Sequence, residues 1–526
     1  MSAFRPILSV LALIGLAVQG FAQNQAPVLT DFTANINWNT STLTLEYNVS
    51  DAENDPLEVL VSFSKDGGKT YQIDNLVGCV GDMNYPVTPG LQKKITCATD
   101  MLIGVAPNFR VRLVANDLQP LDIQGLVNQV DSNRLRADLQ FVQGIRHRNT
   151  GLAKLTAVRD SMQHLLEAKA LYTQDLTFAY AGGYTAHNIV GQAVGLTAAD
   201  TVVIVDAHYD GVSNGPGADD NGSGVVGVWE IARILGGLPS KKTVRYIGFD
   251  LEEAGLLGSI NYVVNHLPTT EKIKGVYNFE MIGFYSEKNN SQTLPAGFNQ
   301  LFPAAYNAVA AQQFKGNFIT NVGNVASKAL TDQFVAAAAQ YVPDLRVITV
   351  NVPGTGSIAQ DLRRSDHAPF WDGGHQAVML TDGANFRNPN YHQAGDTLGA
   401  LNFTFMSNVV KATLAAIAES AELLHGDQAF ANFDGLVSVK QPLDCNFMAY
   451  TVPSDRSHIY IRIDQCANDP LNYTLFDAKG SQVATGNLES LAGTLQSVAI
   501  TPLQAGFYLL RLSNAAGAKT VKLHIE

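Results

Sequence analysis

Histidines and carboxylates recur at one kind of place in this sequence, just after apolar runs typical of buried strands. His208 follows one such run, Asp220 lies in the glycine-rich loop beyond it, and Glu252 and Glu253 follow a second run. Imidazole and carboxylate are the ligand types that Zn²⁺ accepts where no thiolate is offered. Several carboxylates in one cleft repel one another unless a cation neutralises them. The pattern therefore predicts a metal site.

Two more groups extend the pattern. Glu280 lies in the apolar segment 276–282, and His392 follows a loop after the segment 377–380. In an open α/β sheet, ligands bind beyond the carboxyl ends of the strands, so these groups are expected at one edge. Each group alone is ordinary, because a loop histidine is usually a surface residue and an acidic pair opening a helix is usually a cap. Their conjunction after successive strands indicates a site.

The elements that must position these groups fall into three regions. Residues 119–426 alternate apolar runs with helical segments, which predicts an α/β domain whose mostly parallel central sheet has helices on both faces. Residues 23–118 and 427–526 contain short alternating strands and turn signals, which predict two all-β, sandwich-like domains. The first of these resembles an immunoglobulin-like or fibronectin-like sandwich.

Composition excludes several classes of protein. Among 526 residues, 46% are hydrophobic and 16% are charged, which excludes wholesale disorder. Lys+Arg 35 against Asp+Glu 47 gives a net charge of −12, the wrong sign for a general nucleic-acid binder.

Residues 1–22 are predicted to be a cleaved secretory signal peptide. Arg5 is the only charge before an apolar run from Ile7 to Val18, and Gly20 and Ala22 supply the small residues of a cleavage site. That run is shorter than the ~20 residues that span a bilayer, and no second spanning run follows, so no transmembrane segment is expected. In an oxidising compartment, the cysteine spacing suggests two local disulfides, with free buried thiols as the alternative. The two pairs are Cys79 with Cys97 and Cys445 with Cys466.

Six motifs, in order and over about 300 residues, make the middle of the chain similar to the M28 family of zinc aminopeptidases. The motifs are His208-Tyr209-Asp210, Gly217-Ala218-Asp219-Asp220-Asn221-Gly222-Ser223-Gly224, Glu252-Glu253-Ala254-Gly255-Leu256-Leu257-Gly258-Ser259, Asn278-Phe279-Glu280-Met281-Ile282-Gly283, Ser365-Asp366-His367 and Tyr391-His392. The resemblance implies two Zn²⁺ ions per chain. One ion would be held by His208 and Glu280, where aspartate is commoner in the family, and the other by Glu253 and His392. The bridging carboxylate would be Asp220, with Asp219 as a neighbouring loop acid, and the Asp220-Asn221 peptide bond is a candidate cis bond.

The resemblance also implies a mechanism and a substrate class. A hydroxide held between the two ions would attack peptides next to a free N-terminus, with Glu252 as the general base. Tyr391 is a candidate donor to the oxyanion, and Asp210 would orient the imidazole of His208. Asp366 would support the site without binding metal.

The last ~80 residues resemble the sorting domain read by the bacterial type IX secretion system. The stretches that carry this resemblance are Leu475-Phe476-Asp477-Ala478-Lys479-Gly480, Gly506-Phe507-Tyr508-Leu509-Leu510-Arg511 and 519–526. It implies a bacterial protein that is secreted or held at the cell surface, with the type IX machinery as a partner. An ordinary accessory β domain is the alternative.

Two other functions are weighed against the aminopeptidase. A glutaminyl cyclase on the same scaffold typically uses a single zinc ion, so metal stoichiometry separates it from the peptidase. A catalytically silent surface binding module would have lost some of the chemistry, whereas here all five ligand positions and the base are competent residues.

Overall fold

A computed structural model of the chain describes residues 24–37, 42–71, 78–98, 108–434, 441–442, 446–452, 455–465, 471–477, 481–488, 494–500, 503–514 and 517–525. The predicted signal peptide and the predicted Cys445–Cys466 pair lie outside these residues. Within the described ranges, no helix combines the length and apolarity that crossing a membrane requires.

The N-terminal region is a β sandwich. Its strands are β1 (Val28–Asn37), β2 (Thr42–Ser50), β3 (Leu57–Ser64), β4 (Cys79–Gly81), β5 (Asn84–Val87), β6 (Gly90–Ala98) and β7 (Asn108–Asn116). One sheet has the order β1-β2-β6-β4, and β7, β3 and β5 belong to the other. Alternating apolar residues of both sheets, such as Leu43, Leu45, Val59 and Val61, form one shared core. The predicted Cys79–Cys97 disulfide is confirmed and joins β4 to β6.

The middle region is α/β. Its helices and strands are α1 (Ile123–Val127), α2 (Ser132–Val142), α3 (Leu152–Ala168), β8 (Tyr172–Tyr180), β9 (Tyr184–Ala193), β10 (Ala198–His208), α4 (Gly224–Leu235), β11 (Lys242–Phe249), α5 (Leu257–Asn261), β12 (Lys272–Phe279), α6 (Phe298–Leu301), α7 (Pro303–Ala310), β13 (Ile319–Asn324), α8 (Lys328–Tyr341), β14 (Val347–Val352), α9 (His367–Asp372), β15 (Ala377–Thr381) and α10 (Phe403–Ala421).

Eight strands of this region form one mixed sheet with the order β14-β13-β15-β12-β10-β11-β9-β8. The neighbouring strands β15, β12, β10 and β11 run parallel to one another. The outer strands include antiparallel pairs, β11 with β9, β9 with β8 and β13 with β15. The predicted fold class, an α/β sheet flanked by β domains, is confirmed.

Both faces of this sheet are covered, which explains the continuous apolar runs. On β10, Val203 and Val205 point into a core shared with α4, α8 and α10. Between them, Val202 and Ile204 point into a second core shared with α7 and α9. Because successive strand side chains alternate between faces, a strand buried on both sides must be apolar at nearly every position.

The chain returns to the N-terminal sandwich after α10. Strand β16 (Gly426–Asp434) pairs antiparallel with β7 along its whole length, and Phe433 enters the sandwich core. The second sheet of the sandwich therefore has the order β16-β7-β3-β5. The sequence prediction starts the C-terminal domain at residue 427, whereas residues 426–434 complete the sandwich. The α/β region is thus inserted between two adjacent strands of the sandwich.

The C-terminal region is all-β. Its strands are β17 (Gln441–Pro442), β18 (Asn446–Val452), β19 (Asp455–Gln465), β20 (Leu471–Phe476), β21 (Gln482–Leu488), β22 (Thr494–Ala499), β23 (Gly506–Ser513) and β24 (Gly517–Ile525). They form a five-stranded sheet, β17-β24-β23-β20-β21, and a three-stranded sheet, β18-β19-β22. Residues from both sheets, including Ile461 and Leu510, share one core.

Candidate metal centre

Adjacent parallel strands deliver most of the site. His208 is the last residue of β10, Glu280 follows the last residue of β12, and Glu252 and Glu253 lie shortly after the end of β11. Strands β12, β10 and β11 are neighbours in the sheet, so their carboxyl ends meet at one edge. The segment 276–282, predicted as one strand, ends earlier, so Glu280 stands beyond the sheet rather than within it.

Loops supply the remaining two groups. Asp220 lies in the turn Ala218–Ser223 between β10 and α4, and its peptide bond to Asn221 is cis, as the resemblance predicts. His392 lies in the loop between β15 and α10, with a positive φ of 57°.

The five predicted ligands fall into two sets that share one member. His208, Asp220 and Glu280 form one set, Asp220, Glu253 and His392 form the other, and the ligand atoms within each set all lie within 4.8 Å of one another. Asp220 Oδ1 lies 3.5 Å from His208 Nε2, whereas Asp220 Oδ2 lies 3.0 Å from His392 Nε2. The two oxygens of one carboxylate thus face different histidines, which is the arrangement of a bridging ligand.

The remaining contacts fit metal binding better than hydrogen bonding. His208 Nε2 lies 3.4 Å from Glu280 Oε2, and His392 Nε2 lies 3.2 Å from Glu253 Oε2. Neither ring nitrogen of the buried His208 makes a hydrogen bond within the described part of the chain. A buried imidazole that aims an unbonded nitrogen at two carboxylates is a fitting donor set for Zn²⁺.

The electrostatics of the cluster also call for a cation. Burial, reinforced by the charge of Asp220, raises the pKa of Glu253 to about 7. Burial also raises the pKa of Glu252 well above its ordinary value. For His392, burial works in the opposite direction, but hydrogen bonds to Asp220 and Glu253 prevail and raise its pKa to about 10. The raised pKa values mean that Glu252, Glu253 and His392 hold protons that reduce the negative charge of the cluster. A bound metal ion would supply positive charge in place of these protons.

Glu252 stands beside the two ligand sets without belonging to either. Its Oε2 lies 3.8 Å from His208 Nε2. Its backbone N–H donates to Asp210 Oδ1 at 3.1 Å, and the next N–H, of Glu253, donates to Asp210 Oδ2 at 3.3 Å. Asp210 Oδ1 also lies 3.3 Å from His208 Nδ1. One carboxylate therefore fixes both a histidine and the backbone of the two glutamates.

The motif 365–367 packs behind Glu280. Ser365 Oγ donates a hydrogen bond of 2.7 Å to Glu280 Oε2, which holds the longer side chain in place. Asp366 is fully buried, and burial raises its pKa to about 7. It belongs to neither ligand set among the described residues, in agreement with the supporting position that the resemblance implies.

Tyr391 lies over the loop-borne half of the site. Its ring stacks on that of His392 with a centroid separation of 3.8 Å. Its hydroxyl accepts a hydrogen bond of 2.9 Å from Arg364 Nη2, which leaves the phenolic proton free to be donated. Burial raises the pKa of Tyr391, so the hydroxyl stays protonated.

An apolar pocket adjoins the site beside Glu280 and Tyr391. Glu280 and Tyr391 line its mouth, and Arg364 lies on its wall. Its apolar lining is Leu294, Phe298, Val309, Phe318, Ile348, Leu362, Met379 and Phe386. Most of these residues come from β13–β15 and the helices around them, which locates the pocket on the Glu280 side of the centre.

Two supporting residues are missing from the sequence prediction. Asp396 accepts hydrogen bonds from the backbone N–H groups of Asp219 (2.9 Å) and Asp220 (3.0 Å). The buried guanidinium of Arg146 donates to the carbonyls of Tyr209, Gly217 and Asp220. Together they fix the loop that carries the shared carboxylate. The one sequence signal for Asp396 is its position four residues after His392 in the same loop.

Asp219 has the structural role of a loop acid. Its Oδ1 accepts from the N–H of Gly283 at 2.9 Å, and its Oδ2 accepts from Asn388 Nδ2 at 2.8 Å. It is absent from both ligand sets, so Asp220 alone is the shared carboxylate among the described residues.

Two family models match the chain. Residues 188–417 match peptidase family M28, and residues 452–526 match the secretion system C-terminal sorting domain. The first match contains all five predicted ligands and both candidate catalytic residues, and the second supports the predicted sorting domain.

The chain is also similar to individual proteins. An uncharacterized Escherichia coli protein, YfbL, is 32% identical over 230 residues, which are 42% of this chain and 67% of that protein. A probable leucine aminopeptidase 2 of Aspergillus oryzae is 32% identical over 246 residues, 45% of each chain, so this chain spans less than half of that relative. A solved zinc aminopeptidase of Bacillus subtilis is 24% identical, with 46% of this chain and 54% of that chain covered, at a TM-score of 0.34.

The family match and the relatives confirm the classification that the six motifs predict. The chain belongs to peptidase family M28.

Proposed function

We propose that this protein is an exported two-zinc aminopeptidase that removes apolar N-terminal residues from peptides. The observation that carries the proposal is the orientation of Asp220, whose two oxygens face two separate histidine–carboxylate pairs. A site for one ion does not require a carboxylate with both oxygens committed in this way.

The chain offers each ion three ligands. His208, Glu280 and Asp220 would hold one ion, and Glu253, His392 and the same Asp220 would hold the other. Zinc bound there would supply a Lewis acid for the scissile carbonyl and would make water acidic enough to attack it at neutral pH.

Residues outside the ligand sets carry the proton transfers. Glu252, whose pKa is raised by burial, is suited to accept a proton from the attacking water and to deliver it to the leaving amine. Tyr391 is suited to donate its free phenolic proton to the oxyanion that forms on the carbonyl oxygen. Asp210 contacts both the backbone N–H of Glu252 and the imidazole of His208, and it therefore holds these two residues in fixed relative positions.

The substrate class follows from the surroundings of the site. The carboxylates of the centre favour a free α-amino group close by, which restricts cleavage to the N-terminal residue. The apolar pocket beside Glu280 suits an aliphatic or aromatic side chain of that residue. The match to a sorting domain points to secretion or the cell surface, and we infer that the type IX machinery and a cleaved signal peptide deliver the enzyme there.

The test is a zinc determination coupled to activity on leucine p-nitroanilide and on its N-acetyl derivative. We expect about two zinc ions per chain and turnover of the unblocked substrate only. One tight ion, with cyclisation of an N-terminal glutamine and no amide cleavage, would instead identify a glutaminyl cyclase. Bound zinc without turnover of either kind would identify a silent binding module.

A variant sharpens the test of the base. We expect Glu252→Gln to lower kcat by ~10²–10⁴-fold with the zinc content unchanged, because the lost group transfers protons and binds no metal. Glu46→Gln, the same change at an exposed position of β2, is the matched control and should match the unmodified protein. Near-normal turnover by Glu252→Gln would refute the assignment.

A further inference from the structure

A second depression lies between two segments that are hydrogen-bonded to the loops after β10 and β11. We call it the rim groove. It is lined by Arg148, Asn149 and the hairpin residues 180–184 between β8 and β9, and its volume is about 470 Å³. A volume of this size accommodates one or two amino-acid residues.

Both walls of the rim groove are hydrogen-bonded to segments that adjoin residues of the centre in the sequence. Two residues before Arg148, the carbonyl of Arg146 accepts from the N–H of Gly211, the residue after Asp210, at 2.8 Å. Further along, Thr150 Oγ1 donates to the Ser213 carbonyl at 2.9 Å. Arg148 therefore lies within a segment that runs beside the chain leaving Asp210.

The hairpin wall is anchored to the acidic loop after β11. The hydroxyl of Tyr184 donates to Asp250 Oδ2 at 2.7 Å, and Asp250 stands two residues before Glu252. At the hairpin tip, Gly182 and Gly183 have φ values of 73° and 77°, a conformation that favours glycine. A side chain at either glycine would meet no neighbouring atoms, so the tip leaves the groove open.

The two depressions therefore adjoin different parts of the centre. The apolar pocket is lined by Glu280 and Tyr391, whereas the segments that line the rim groove are hydrogen-bonded to Gly211 and Asp250, which lie next to Asp210 and two residues before Glu252. A peptide whose first side chain fills the apolar pocket would send the residues after the scissile bond the other way. In a di- or tripeptide the C-terminal carboxylate lies one or two residues, at ~3.3–3.6 Å each, beyond the scissile bond.

Arg148 is the cation of this groove. Its guanidinium lies 4.9 Å from the ring centroid of Tyr180 and donates to His147 Nε2 at 3.3 Å. The side chain is half-buried, and no carboxylate of the described residues forms an ion pair with it. A positioned guanidinium without an acidic partner is suited to bind an incoming carboxylate through charge-assisted hydrogen bonds.

We propose that Arg148 binds the C-terminal carboxylate of a short peptide, which makes di- and tripeptides with an apolar first residue the preferred substrates. This inference rests on the proposed aminopeptidase function, because the rim groove matters only if the scissile bond lies at the centre.

The experiment compares kcat/KM for Leu-Ala, Leu-Ala-amide and Leu-Asp-amide, and for the corresponding tripeptides Leu-Ala-Ala and Leu-Ala-Ala-amide. With the full chain, we expect the free acid to exceed its amide by about tenfold at one of the two lengths. Leu-Asp-amide tells a chain-terminal carboxylate from an acidic side chain, and it should behave like Leu-Ala-amide.

Variants assign the preference to Arg148. In Arg148→Gln the acid-to-amide ratio should fall to about one, and Arg148→Lys should restore part of it. The matched control is Arg136→Gln on α2, which removes another guanidinium that stacks on a ring, that of Phe403 at 5.2 Å. This control should keep the full ratio.

Three results would overturn the inference: an acid-to-amide ratio near one in the unmodified protein, an unchanged ratio in Arg148→Gln, or a preference for Leu-Asp-amide over both. Failure of the proposed function itself looks different, because leucine p-nitroanilide would then not be cleaved at all.

Discussion

The two halves of the candidate metal centre are built from different kinds of structure. One half stands on the ends of parallel strands, and its His208 and Glu280 side chains are only 1% and 8% exposed. The other half depends on loops, and its His392 side chain is 34% exposed, with Glu253 at 12%. Asp220, at 5%, belongs to both.

The strand-borne half is therefore the more rigid one, and the loop-borne half is the one that solvent can reach. The strand-borne half is held by the sheet, by Asp210 and by the hydrogen bond from Ser365. The loop-borne histidine is held by the stacked ring of Tyr391 and by its two carboxylate partners. A ligand set that solvent can enter exchanges its ion more readily than a buried one, so we expect the two zinc ions to leave in sequence, the one near His392 first.

Removing the shared carboxylate should weaken metal binding in both halves at once. In Asp220→Asn we expect the zinc content to fall from about two ions to below one. We also expect kcat/KM to fall by ~10³-fold or more, because both ions lose a charged ligand. Metal analysis and kinetics on leucine p-nitroanilide measure both effects, with the exposed Asp332→Asn as control. Retention of two ions would show that Asp220 does not bridge.

Removing one histidine at a time should reveal the asymmetry. His208→Ala and His392→Ala should each keep about one zinc ion and lose ~10²-fold in kcat/KM. The ion left in His392→Ala should exchange more slowly with a chelator than the ion left in His208→Ala, because it sits in the buried half. Equal exchange rates would argue against any difference between the halves.

Loosening the loop that carries Asp220 should cost less. Asp396→Ala removes the carboxylate that receives two backbone N–H groups of this loop, and we expect a loss of ~10–100-fold in activity or metal affinity. Asp396→Asn retains an acceptor and should recover part of the loss. An effect on folding alone would lower the yield of folded protein and leave the kcat/KM of the folded fraction unchanged.

The smallest expected effect concerns the scaffold of the buried half. Burial lowers the pKa of His367 to about 4, against ~6.5 in an unfolded chain. The unfolded chain thus binds the extra proton first, so the stabilisation is complete above pH ~6.5 and is lost as the pH falls toward 4. From pH 7 to 6 we expect the contribution of His367 to the free energy of unfolding to fall by about 0.7 kcal/mol. Thermal unfolding of the metal-free protein and of metal-free His367→Phe at both pH values measures this contribution as the difference between the two proteins.

The sequence predicts those parts of the molecule whose signal is local. The apolar runs at 201–205 and 244–249 belong to β10 and β11, and the helical pattern at 152–168 matches α3. The ligands are predictable because imidazole and carboxylate must follow particular strands. Asp396 and Arg146 act on backbone N–H and carbonyl groups, and every residue has such groups, so beyond the closeness of Asp396 to His392 nothing in the sequence identifies these two residues as supports of the site.

Long-range pairing is the other feature that local patterns do not reveal. The segment 426–434 shows only a weak alternation of apolar and polar residues, and the predicted C-terminal domain begins within it, at residue 427. Its pairing partner β7, however, lies about 310 residues earlier in the chain. The same pattern would suit a strand in either domain. Helix α10 ends at Ala421, where Glu422 adopts a left-handed backbone conformation, and Gly426 then begins β16.

The inserted position of the α/β region has a consequence for how the protein is made and trimmed. The sandwich can be completed only after β16 has been synthesised. The whole α/β region is therefore synthesised before the N-terminal sandwich has all of its strands. A chain cut at residue 426 would strip nine residue pairs from the edge of β7 and leave that edge bare. Any processing that detaches the C-terminal region while sparing the enzyme must therefore act beyond Asp434.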